Sequence, residues 1–350
     1  MDLTFYQGKK IFITGHTGFK GTWLSKILIL AGAEVTGYSL EPSKEEILFN
    51  ISKLKDDIHN IWGDVRDLNS LRNAIEEAQP EIVIHMAAQP LVRESYENPV
   101  ETYEINVMGT VNILDCIREI NCVMSFLNVT TDKVYENNER QDGYREDERL
   151  CGYDPYSNSK SCSELVTYSY KNSFFNEKRS PAISTARSGN VIGGGDFSKD
   201  RIIPDCIRSA IKHQNIVVRN PYSIRPYQHV LESLSGYLTL TKLQYEDKSF
   251  EGNYNFGPED NGYLNTGELA DVFCKAWGQK LCWVNNETKG PHEAGILKLD
   301  IQKSKKKLLW EPKWGIESAV EKTVEWAKTY YFGGDAAECM VNQIESYFEK

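Results

Sequence analysis

The stretch that decides the fold covers residues 9–40 and reads KKIFITGHTGFKGTWLSKILILAGAEVTGYSL. It opens with a short apolar run, Lys10–Thr14, which is typical of a buried strand. A helical repeat of apolar residues follows, and Gly32 is placed to end that helix. Val35–Leu40 then has the composition of a second strand. The stretch therefore predicts a strand–turn–helix–strand unit.

Three glycines, Gly15, Gly18 and Gly21, occupy the turn between the first strand and the helix. Glycine there permits a tight turn, lets the backbone approach a phosphate and lets the helix pack on the strand. The free N–H groups of the helix N-terminus favour an anion at the same place. The alternative is an ordinary glycine-rich turn, which its place inside a strand–turn–helix unit disfavours. The pattern predicts a site for the diphosphate of a dinucleotide.

The residues that follow the second strand bear on the choice between NAD and NADP. Glu41 lies at the distance where an acidic residue binds the ribose 2′-OH of NAD, although it falls beyond the predicted strand end. No arginine occupies positions 38–42 to favour a 2′-phosphate, while Lys44 is near. We therefore expect NAD.

Alternating strands and helices continue through the N-terminal half. The predicted strands and helices are Asn60–Trp62, Leu68–Ala78, Glu81–Met86, Pro99–Asn121 and Val123–Val129. This alternation predicts an α/β fold with a doubly wound parallel sheet covered on both faces. Ligands of such sheets bind outside the carboxyl ends of the strands. Thr131, Asp132 and Lys133 fall at one such end, which favours a site over a solvated surface pair.

A second chemical pattern is Tyr156-Ser-Asn-Ser-Lys160, at the start of the predicted helix Tyr156–Phe175. Residues four apart share one face of a helix. A phenol, with an ordinary pKa of ~10, is a poor base at neutral pH, and a nearby ammonium favours the phenolate. Tyr156 can then take a proton from a substrate hydroxyl, with Thr131 hydrogen-bonded to the same oxygen. Many helices carry Tyr and Lys four apart, so the motif gains its weight from the glycine turn and the strand end.

Composition excludes other classes of protein. The formal net charge of −10 argues against non-specific binding to nucleic acid or to acidic membranes. No apolar run approaches the ~20 residues of a membrane span, and the start of the chain does not read as a secretory signal. The eight cysteines form no C-x-x-C pair, and no histidine pair has metal spacing. We expect reduced thiols, no metal site and a cytoplasmic location.

The pattern changes near residue 188, where the glycine-rich stretch GNVIGGGDFSKDRIIPD begins. We predict a cofactor-binding domain over residues 1–187, which a strand at about 252–257 rejoins. Residues 188–251 and 258–350 would form a smaller, discontinuous substrate-binding domain. Asn190, Arg201 and Arg225 are candidates for a substrate phosphate, and Arg225, before a proline, is the stronger one, because arginine offers paired donors to a diphosphate. Each of these residues alone is more often a surface group.

These motifs resemble the nucleotide-sugar 4,6-dehydratases of the extended short-chain dehydrogenase/reductase superfamily, and among them the CDP-glucose branch. The resemblance runs from the first strand to about residue 258, and TTDK and GNVIGGGDFSKDR carry most of the assignment to the branch. The chain departs from the branch at three positions. Tyr227 and Ser233 stand where Trp and Pro are expected, and Phe197 stands where Trp is expected.

The resemblance implies a Rossmann-type fold, bound NAD and a nucleotide-diphosphate hexose, most closely CDP-glucose, as substrate. Tyr156 would deprotonate the C4 hydroxyl as NAD⁺ oxidises C4. Water would then leave across C5 and C6, and reduction at C6 would give the 4-keto-6-deoxy sugar. Asp132 is implied as the acid for the C6 hydroxyl, and Lys133 as the candidate base for C5. A salt bridge would oppose both roles, so a neutral pair sharing one proton is one hypothesis.

Further residues are expected at the site by the same resemblance. The expected cofactor contacts are Gly15, Thr17, Gly18, Phe19, Lys20, Gly21, Asp64, Val65, Ala87, Ala88, Gln89, Tyr156 and Lys160. The expected substrate contacts are Gln89, Arg93, Asn190, Arg201, Arg219, Arg225 and His292. The long helices 99–121 and 156–175 suggest a homodimer, or a homotetramer built from it. Two alternatives stay open: a nucleotide-sugar 4-epimerase with the same Tyr, Lys and NAD, and a dinucleotide-sensing regulator.

Overall fold

The computed structural model describes residues 2–42, 47–259, 262–278, 281–286 and 295–349. The strands are β1 (Lys10–Thr14), β2 (Glu34–Ser39), β3 (His59–Trp62), β4 (Ile82–His85), β5 (Ser125–Val129), β6 (Ala182–Ser188), β7 (Val191–Ile192), β8 (Ile216–Val218), β9 (Ile224–Pro226), β10 (Gln228–His229), β11 (Asn253–Phe256), β12 (Tyr263–Asn265) and β13 (Trp283–Asn285). The helices are α1 (Phe19–Leu30), α2 (Ile47–Ile51), α3 (Leu68–Ala78), α4 (Val92–Glu97), α5 (Pro99–Tyr103), α6 (Gly109–Glu119), α7 (Pro155–Phe174), α8 (Ile202–Ile211), α9 (Val230–Glu246), α10 (Thr266–Trp277), α11 (Gln302–Leu308), α12 (Ile316–Tyr331) and α13 (Ala336–Phe348).

Seven strands form one parallel sheet in the order β11-β6-β5-β4-β1-β2-β3. The predicted doubly wound α/β fold is therefore confirmed. Strand order reverses between β1 and β4, where Thr14 pairs with His85. Such a reversal opens a crevice at the carboxyl ends of the two strands, which is where open α/β sheets bind ligands.

Helices cover both faces of this sheet. One face packs against α1, α9 and α13, and the other packs against α3 and α6. Because both faces are covered, the central strands β4, β5 and β6 are buried at every position. The buried strands thus hold in place the loops that begin at the carboxyl edge of the sheet.

The long helix predicted over residues 99–121 is divided in the structure. A turn of π-helix, Glu104–Met108, separates α5 from α6. This turn carries Asn106, whose buried side-chain amide donates to the carbonyl of Gln89 at 3.1 Å and to Ser159 Oγ at 2.9 Å. Asn106 thereby ties the loop after β4 to α7. The spacing of apolar residues could not reveal this interruption, because the π-turn is linked to the contacts of the buried Asn106 amide and not to an apolar side chain.

A separate hydrophobic cluster is formed by residues that follow β6. It joins α8, β8, α10 and α12 through side chains such as Ile207, Val218, Phe273 and Val320. Other late residues, including Leu234 and Tyr254, pack against the central sheet instead. The two-domain division stays a prediction.

Within the described ranges, no helix is both long and apolar enough to cross a membrane. The same ranges hold no cluster of three His, Cys, Asp or Glu side chains arranged for a metal ion. All eight cysteines are free thiols.

Candidate active site

The glycine turn after β1 stands at the edge of the crevice. Gly15 has φ +76°, and a Cβ there would lie 2.8 Å from the backbone nitrogen of Ala87. A Cβ on Gly21 would lie 2.1 Å from the carbonyl oxygen of Gly15. These two glycines are therefore required by the packing of the turn against β4 and α1.

Gly18 differs from its two neighbours. A Cβ on Gly18 would come no closer than 3.5 Å to its nearest neighbour, the Gly15 oxygen, and Gly18 lines the cavity. It is also the N-cap of α1 and provides no side-chain cap to the helix. Protein packing does not require glycine at this position, so the open space and the free N–H groups suit a phosphate that approaches the backbone closely. The turn thus fits the diphosphate of a dinucleotide.

The segment after β5 carries the pair Asp132–Lys133. Thr131 caps the short 3₁₀ turn Asp132–Val134, and its hydroxyl donates to Asp132 Oδ1 at 2.8 Å. Asp132 is 1 % exposed, and its second oxygen, Oδ2, has no hydrogen-bond partner among the described residues. Lys133 Nζ lies 3.6 Å from Asp132 Oδ1 and 3.4 Å from Asn190 Oδ1. The carboxylate therefore presents one oxygen that a ligand can engage.

A buried ion pair stabilises the chain just before the segment Thr131–Lys133. Arg187 on β6 and Glu164 on α7 form two contacts of 2.9 Å, and both side chains are 1 % exposed. The hydroxyl of Thr130 donates to the same carboxylate at 2.5 Å. Thr130 directly precedes the Thr131–Lys133 segment, so the ion pair fixes where the chain turns out of β5. The two residues lie 23 positions apart, and no local sequence pattern links them.

Tyr156 and Lys160 lie in the first turns of α7, which Asp154 caps by accepting from Ser157 N at 3.0 Å. Burial raises the pKa of Tyr156 to about 12, against the opposing effects of a Thr131 hydrogen bond and the charge of Arg201. This direction is opposite to the lowering expected from Lys160. Lys160 Nζ instead donates to the carbonyl of Val129 at 3.2 Å.

The same burial acts on Lys160. It lowers the pKa of Lys160 to about 8, with the charge of Lys20 adding to the effect and that of Glu164 opposing it. Burial likewise lowers the pKa of Lys20 to about 8, with Arg201 adding to the effect and Asp132 opposing it. The site therefore holds two amines whose protonation changes near neutral pH.

Four arginines also line the cavity. Arg225 is 6 % exposed and donates to the carbonyl of Ile224 at 2.9 Å. Arg201 lies 3.6 Å from Asp196. Arg93 and Arg219 both contact Oδ1 of Asp200, at 3.6 Å and 2.5 Å. Asp200, which the sequence analysis did not single out, thus holds two of the expected substrate ligands together.

One cavity of about 1560 Å³ collects most of the expected site residues. It is lined by Thr131, Asp132, Lys133, Tyr156 and Lys160, by Gly15, Thr17, Gly18, Phe19, Lys20, Gly21, Asp64, Val65, Ala87 and Ala88, and by Arg93, Asn190, Arg201, Arg219 and Arg225. Pockets that hold one drug-sized ligand measure roughly 300–1,000 Å³. The cavity is larger than this range, as expected for a site that takes a cofactor together with a substrate.

Among the described residues, one expected contact is not brought together with the others. Gln89 is not part of the cavity lining: its side chain donates to Thr102 Oγ1 at 2.9 Å and accepts from Leu91 N, so it shapes the loop after β4. The sequence alone does not distinguish a polar residue that contacts a ligand from one, such as Gln89, that hydrogen-bonds within its own loop. His292 lies outside the described residues.

Known proteins resemble this chain over its whole length. The family described as GDP-mannose 4,6 dehydratase matches residues 12–323. CDP-glucose 4,6-dehydratase from Salmonella typhimurium is 47% identical over 352 residues, which cover 99% of this chain and 98% of that protein.

Solved structures share the fold. The dTDP-glucose 4,6-dehydratase from Bacillus anthracis in complex with NAD superposes with a TM-score of 0.78 at 18% identity, covering 94% of this chain and 100% of that one. The UDP-glucuronic acid 4-epimerase from Bacillus cereus, in complex with UDP-glucuronic acid and NAD, has a TM-score of 0.79 at 19% identity, covering 92% and 99%. The fold therefore does not separate dehydratases from epimerases, whereas the sequence match does. The chain belongs to the GDP-mannose 4,6-dehydratase family of extended short-chain dehydrogenases/reductases.

Proposed function

We propose that this protein is an NAD-dependent hydro-lyase that converts CDP-D-glucose to the CDP-linked 4-keto-6-deoxy sugar. One observation carries the proposal: the pair Asp132–Lys133 lines the same cavity as Tyr156 and Lys160. A dehydration needs an acid and a base besides the Tyr–Lys pair, whereas a 4-epimerisation does not. The 47% identity to a CDP-glucose 4,6-dehydratase supports the choice of substrate.

The glycine turn and the residues at the ends of β1 and β4 would hold NAD. Gly18 and the first turn of α1 would receive the diphosphate, and Tyr156 with Lys160 would face the nicotinamide end. Bound NAD would supply the redox capacity for hydride transfer from C4 and to C6. The chain's own residues supply the proton transfers.

Tyr156 would take the proton of the C4 hydroxyl. Its raised pKa means that the phenol keeps its proton in the ligand-free cavity. Lys160, when protonated, favours the phenolate, and Thr131 can donate to the oxygen on which charge develops. The deprotonation therefore depends on cationic groups that face the phenol once substrate excludes water.

Asp132 and Lys133 would carry out the elimination. In the neutral form of the pair, Asp132 holds a proton on its carboxyl group and Lys133 has a free lone pair. Oδ2 of Asp132, without a partner among the described residues, can give that proton to the departing C6 hydroxyl. Lys133 would remove the C5 proton, so that one water is lost. Reduction at C6 requires a proton at C5, which Lys133 would deliver after exchange with solvent, and the proton that Tyr156 took from the C4 hydroxyl would replace the one lost from Asp132, so that every group returns to its starting state.

Arg225 and Arg201 would bind the substrate diphosphate, with Asn190 next to Lys133 directed at the sugar. Arg201 would exchange Asp196 for a phosphate, and Arg93 and Arg219 would likewise exchange Asp200. We assign Arg225 as the first diphosphate ligand, because it is the most buried of the four arginines.

One experiment tests the proposed reaction. The protein is incubated with CDP-, dTDP-, UDP- and GDP-hexoses in deuterated water, and the mass of each product is measured by mass spectrometry. Loss of water with one deuterium at C5, fastest for CDP-glucose, is the expected result. A product of unchanged mass would establish an epimerase instead. Bound NAD without turnover of any sugar would favour a sensor.

We also propose a homodimer. The outward faces of α5, the π-turn and α7 carry large exposed apolar side chains, including Val100 (70 % exposed), Met108, Leu165 and Tyr168 (66 %). Apolar groups gathered on one face mark protein interfaces. Light scattering coupled to gel filtration should give twice the chain mass for the native protein and the single-chain mass for Leu165→Arg. A native monomer would contradict the proposal.

A further inference from the structure

Lys20 lies in the first turn of α1, where the sequence suggested a ligand for the cofactor. Its ammonium, however, lies 3.3 Å from the hydroxyl of Tyr237 on α9. The ammonium also lies 5.6 Å from the centre of the Tyr237 ring, in cation–π geometry. Lys20 itself lines the cavity. Tyr237 therefore holds the charged end of Lys20.

A buried polar network fixes Tyr237 in turn. Ser188 and Ser233 face its hydroxyl and oppose the rise that burial causes in the pKa of Tyr237. The hydroxyls of these two serines lie 2.6 Å apart. The amide nitrogen of Gln228, with two hydrogens to donate, lies 3.0 Å from both serine oxygens and 2.9 Å from the carbonyl oxygen of Phe256. Ser233 stands where the resembling branch is expected to have proline, which has no hydroxyl. Hydrogen bonds among buried side chains restrict them to one arrangement. Oε1 of Gln228 has no partner among the described residues, so the network holds Tyr237 through the two serine hydroxyls and the Gln228 amide nitrogen.

The charges that face Lys20 come from four other elements. They are Asp132 after β5, Arg201 before α8, Lys160 on α7 and, through its hydroxyl, Tyr237 on α9. Lys160 is also faced by Glu164 on its own helix and by His85 at the end of β4. His85 stays neutral above pH 4, because burial lowers its pKa to about 3. Lys20 and Lys160 line the same cavity, with their ammonium groups held by Tyr237 and by the carbonyl of Val129. Among these groups, Lys20 is the cation whose charge disfavours a proton on Lys160.

We infer that Lys20 is a positioning residue of the reaction, whose charge, fixed by Tyr237 and the Ser188–Ser233–Gln228 network, acts on Lys160. This inference rests on the proposed function for its link to the reaction. A second ammonium beside Lys160 makes the two amines share protons, so Lys20 sets the pH range in which Lys160 can support Tyr156. Removing the charge of Lys20 should let Lys160 keep its proton to higher pH.

The first test needs no turnover. Lysine residues labelled with ¹³C are titrated by NMR in the ligand-free protein, and the Lys160 signal is assigned by its loss in Lys160→Met. In Lys20→Met the midpoint of Lys160 should move to higher pH. Lys20→Arg, which keeps a cation, should leave it near the wild-type midpoint. Lys26→Met is the matched control, because Lys26 is a buried lysine of the same helix that donates to the carbonyl of Ser52, outside the cavity.

The second test uses the reaction. The loss of kcat/KM on the alkaline side should move to higher pH in Lys20→Met and toward an intermediate position in Tyr237→Phe, which releases the anchor but keeps the charge. An unchanged Lys160 midpoint in Lys20→Met would overturn the inference, whether or not CDP-glucose is the substrate. So would an unchanged pH profile combined with weaker NAD binding, because Lys20 would then be a cofactor ligand alone. If the wild type does not dehydrate CDP-glucose, the proposed function fails while the NMR result still decides the role of Lys20.

Discussion

Asp132 and Lys133 lie 3.6 Å apart, yet within the described residues the carboxylate uses only one oxygen, Oδ1, for its contacts. The shared oxygen is the one that Thr131 also engages. Oδ2 is therefore buried and available, which is costly unless a ligand satisfies it. Under the proposed function, Oδ2 is the atom through which Asp132 would act on the substrate, while Oδ1 stays bonded to Thr131 and next to Lys133.

Asp132→Asn should stop the elimination without stopping C4 oxidation. Asparagine keeps the size of the side chain but has no acidic proton to give, and loss of a general acid lowers a rate by ~10²–10⁴. Absorbance of NADH after mixing with CDP-glucose should rise and persist in the variant. Asp271→Asn, which changes an exposed carboxylate bonded to Trp283, is the control and should behave as wild type. Wild-type turnover in Asp132→Asn would remove it as the acid.

Lys133→Met should abolish the exchange of the C5 proton with solvent. Methionine matches the length of the lysine chain but has no lone pair on nitrogen, and it also loses the contact to Asn190. Mass spectrometry of recovered sugar from deuterated water measures the exchange directly. If C5 still exchanges at the wild-type rate, Lys133 is not the base. Asn190→Ala separates the two effects, since it removes the contact and keeps the amine.

Gly18→Ala should weaken NAD binding alone, whereas Gly21→Ala should also lower the stability of the fold. An added Cβ at Gly18 meets nothing closer than 3.5 Å, so the variant should unfold at the wild-type temperature but bind NAD roughly tenfold or more weakly. At Gly21 the same atom would lie 2.1 Å from the Gly15 carbonyl, so this variant should lose stability as well. Thermal unfolding without ligand and calorimetric titration with NAD distinguish the two outcomes. Wild-type NAD affinity in a folded Gly18→Ala protein would show that the turn does not hold the diphosphate.

Arg187→Met should destabilise the protein by about 3–5 kcal/mol, because it leaves the buried carboxylate of Glu164 without its cation. Burial tends to raise the pKa of Glu164, but the charge and hydrogen bonds of Arg187 outweigh it and keep the pKa lowered. The matched variant Glu164→Gln/Arg187→Met removes both charges and should recover part of the loss. Urea denaturation measures both. A loss under about 1 kcal/mol in Arg187→Met would contradict the supporting role given to this pair.

The sequence predicted what depends on local pattern. The β1–α1–β2 unit, the parallel sheet and the location of Thr131 and Asp132 at a strand end followed from periodicity and glycine spacing. The direction of the Tyr156 pKa did not, because it depends on burial and on the Lys160 ammonium being bonded to Val129. The Arg187–Glu164 pair and the Lys20–Tyr237 contact were missed for a related reason. Their partners lie 23 and 217 residues apart, and no local pattern joins them.

Lys160→Met should stabilise the ligand-free protein relative to wild type most strongly near neutral pH. Burial lowers the pKa of Lys160 from 10.5 to about 8, so between these values the unfolded chain binds more protons than the folded one. Wild-type stability from this group therefore rises as pH increases from 8 to 10.5, and below pH 8 its burial costs about 3 kcal/mol. Methionine has no proton to lose, so the stability difference between Lys160→Met and wild type should shrink across that window.

Urea denaturation at pH 7 and at pH 9.5 measures this difference. These two pH values avoid the range above pH 10, in which Tyr156, with its raised pKa, begins to lower the stability of the folded protein. Thr167→Val, on the same helix and without a titrating group, should show a difference from wild type that is independent of pH. A Lys160→Met difference that is equally flat would mean that Lys160 titrates as it does in water, and the assignment of this lysine as a neutral-pH switch beside Tyr156 would fail.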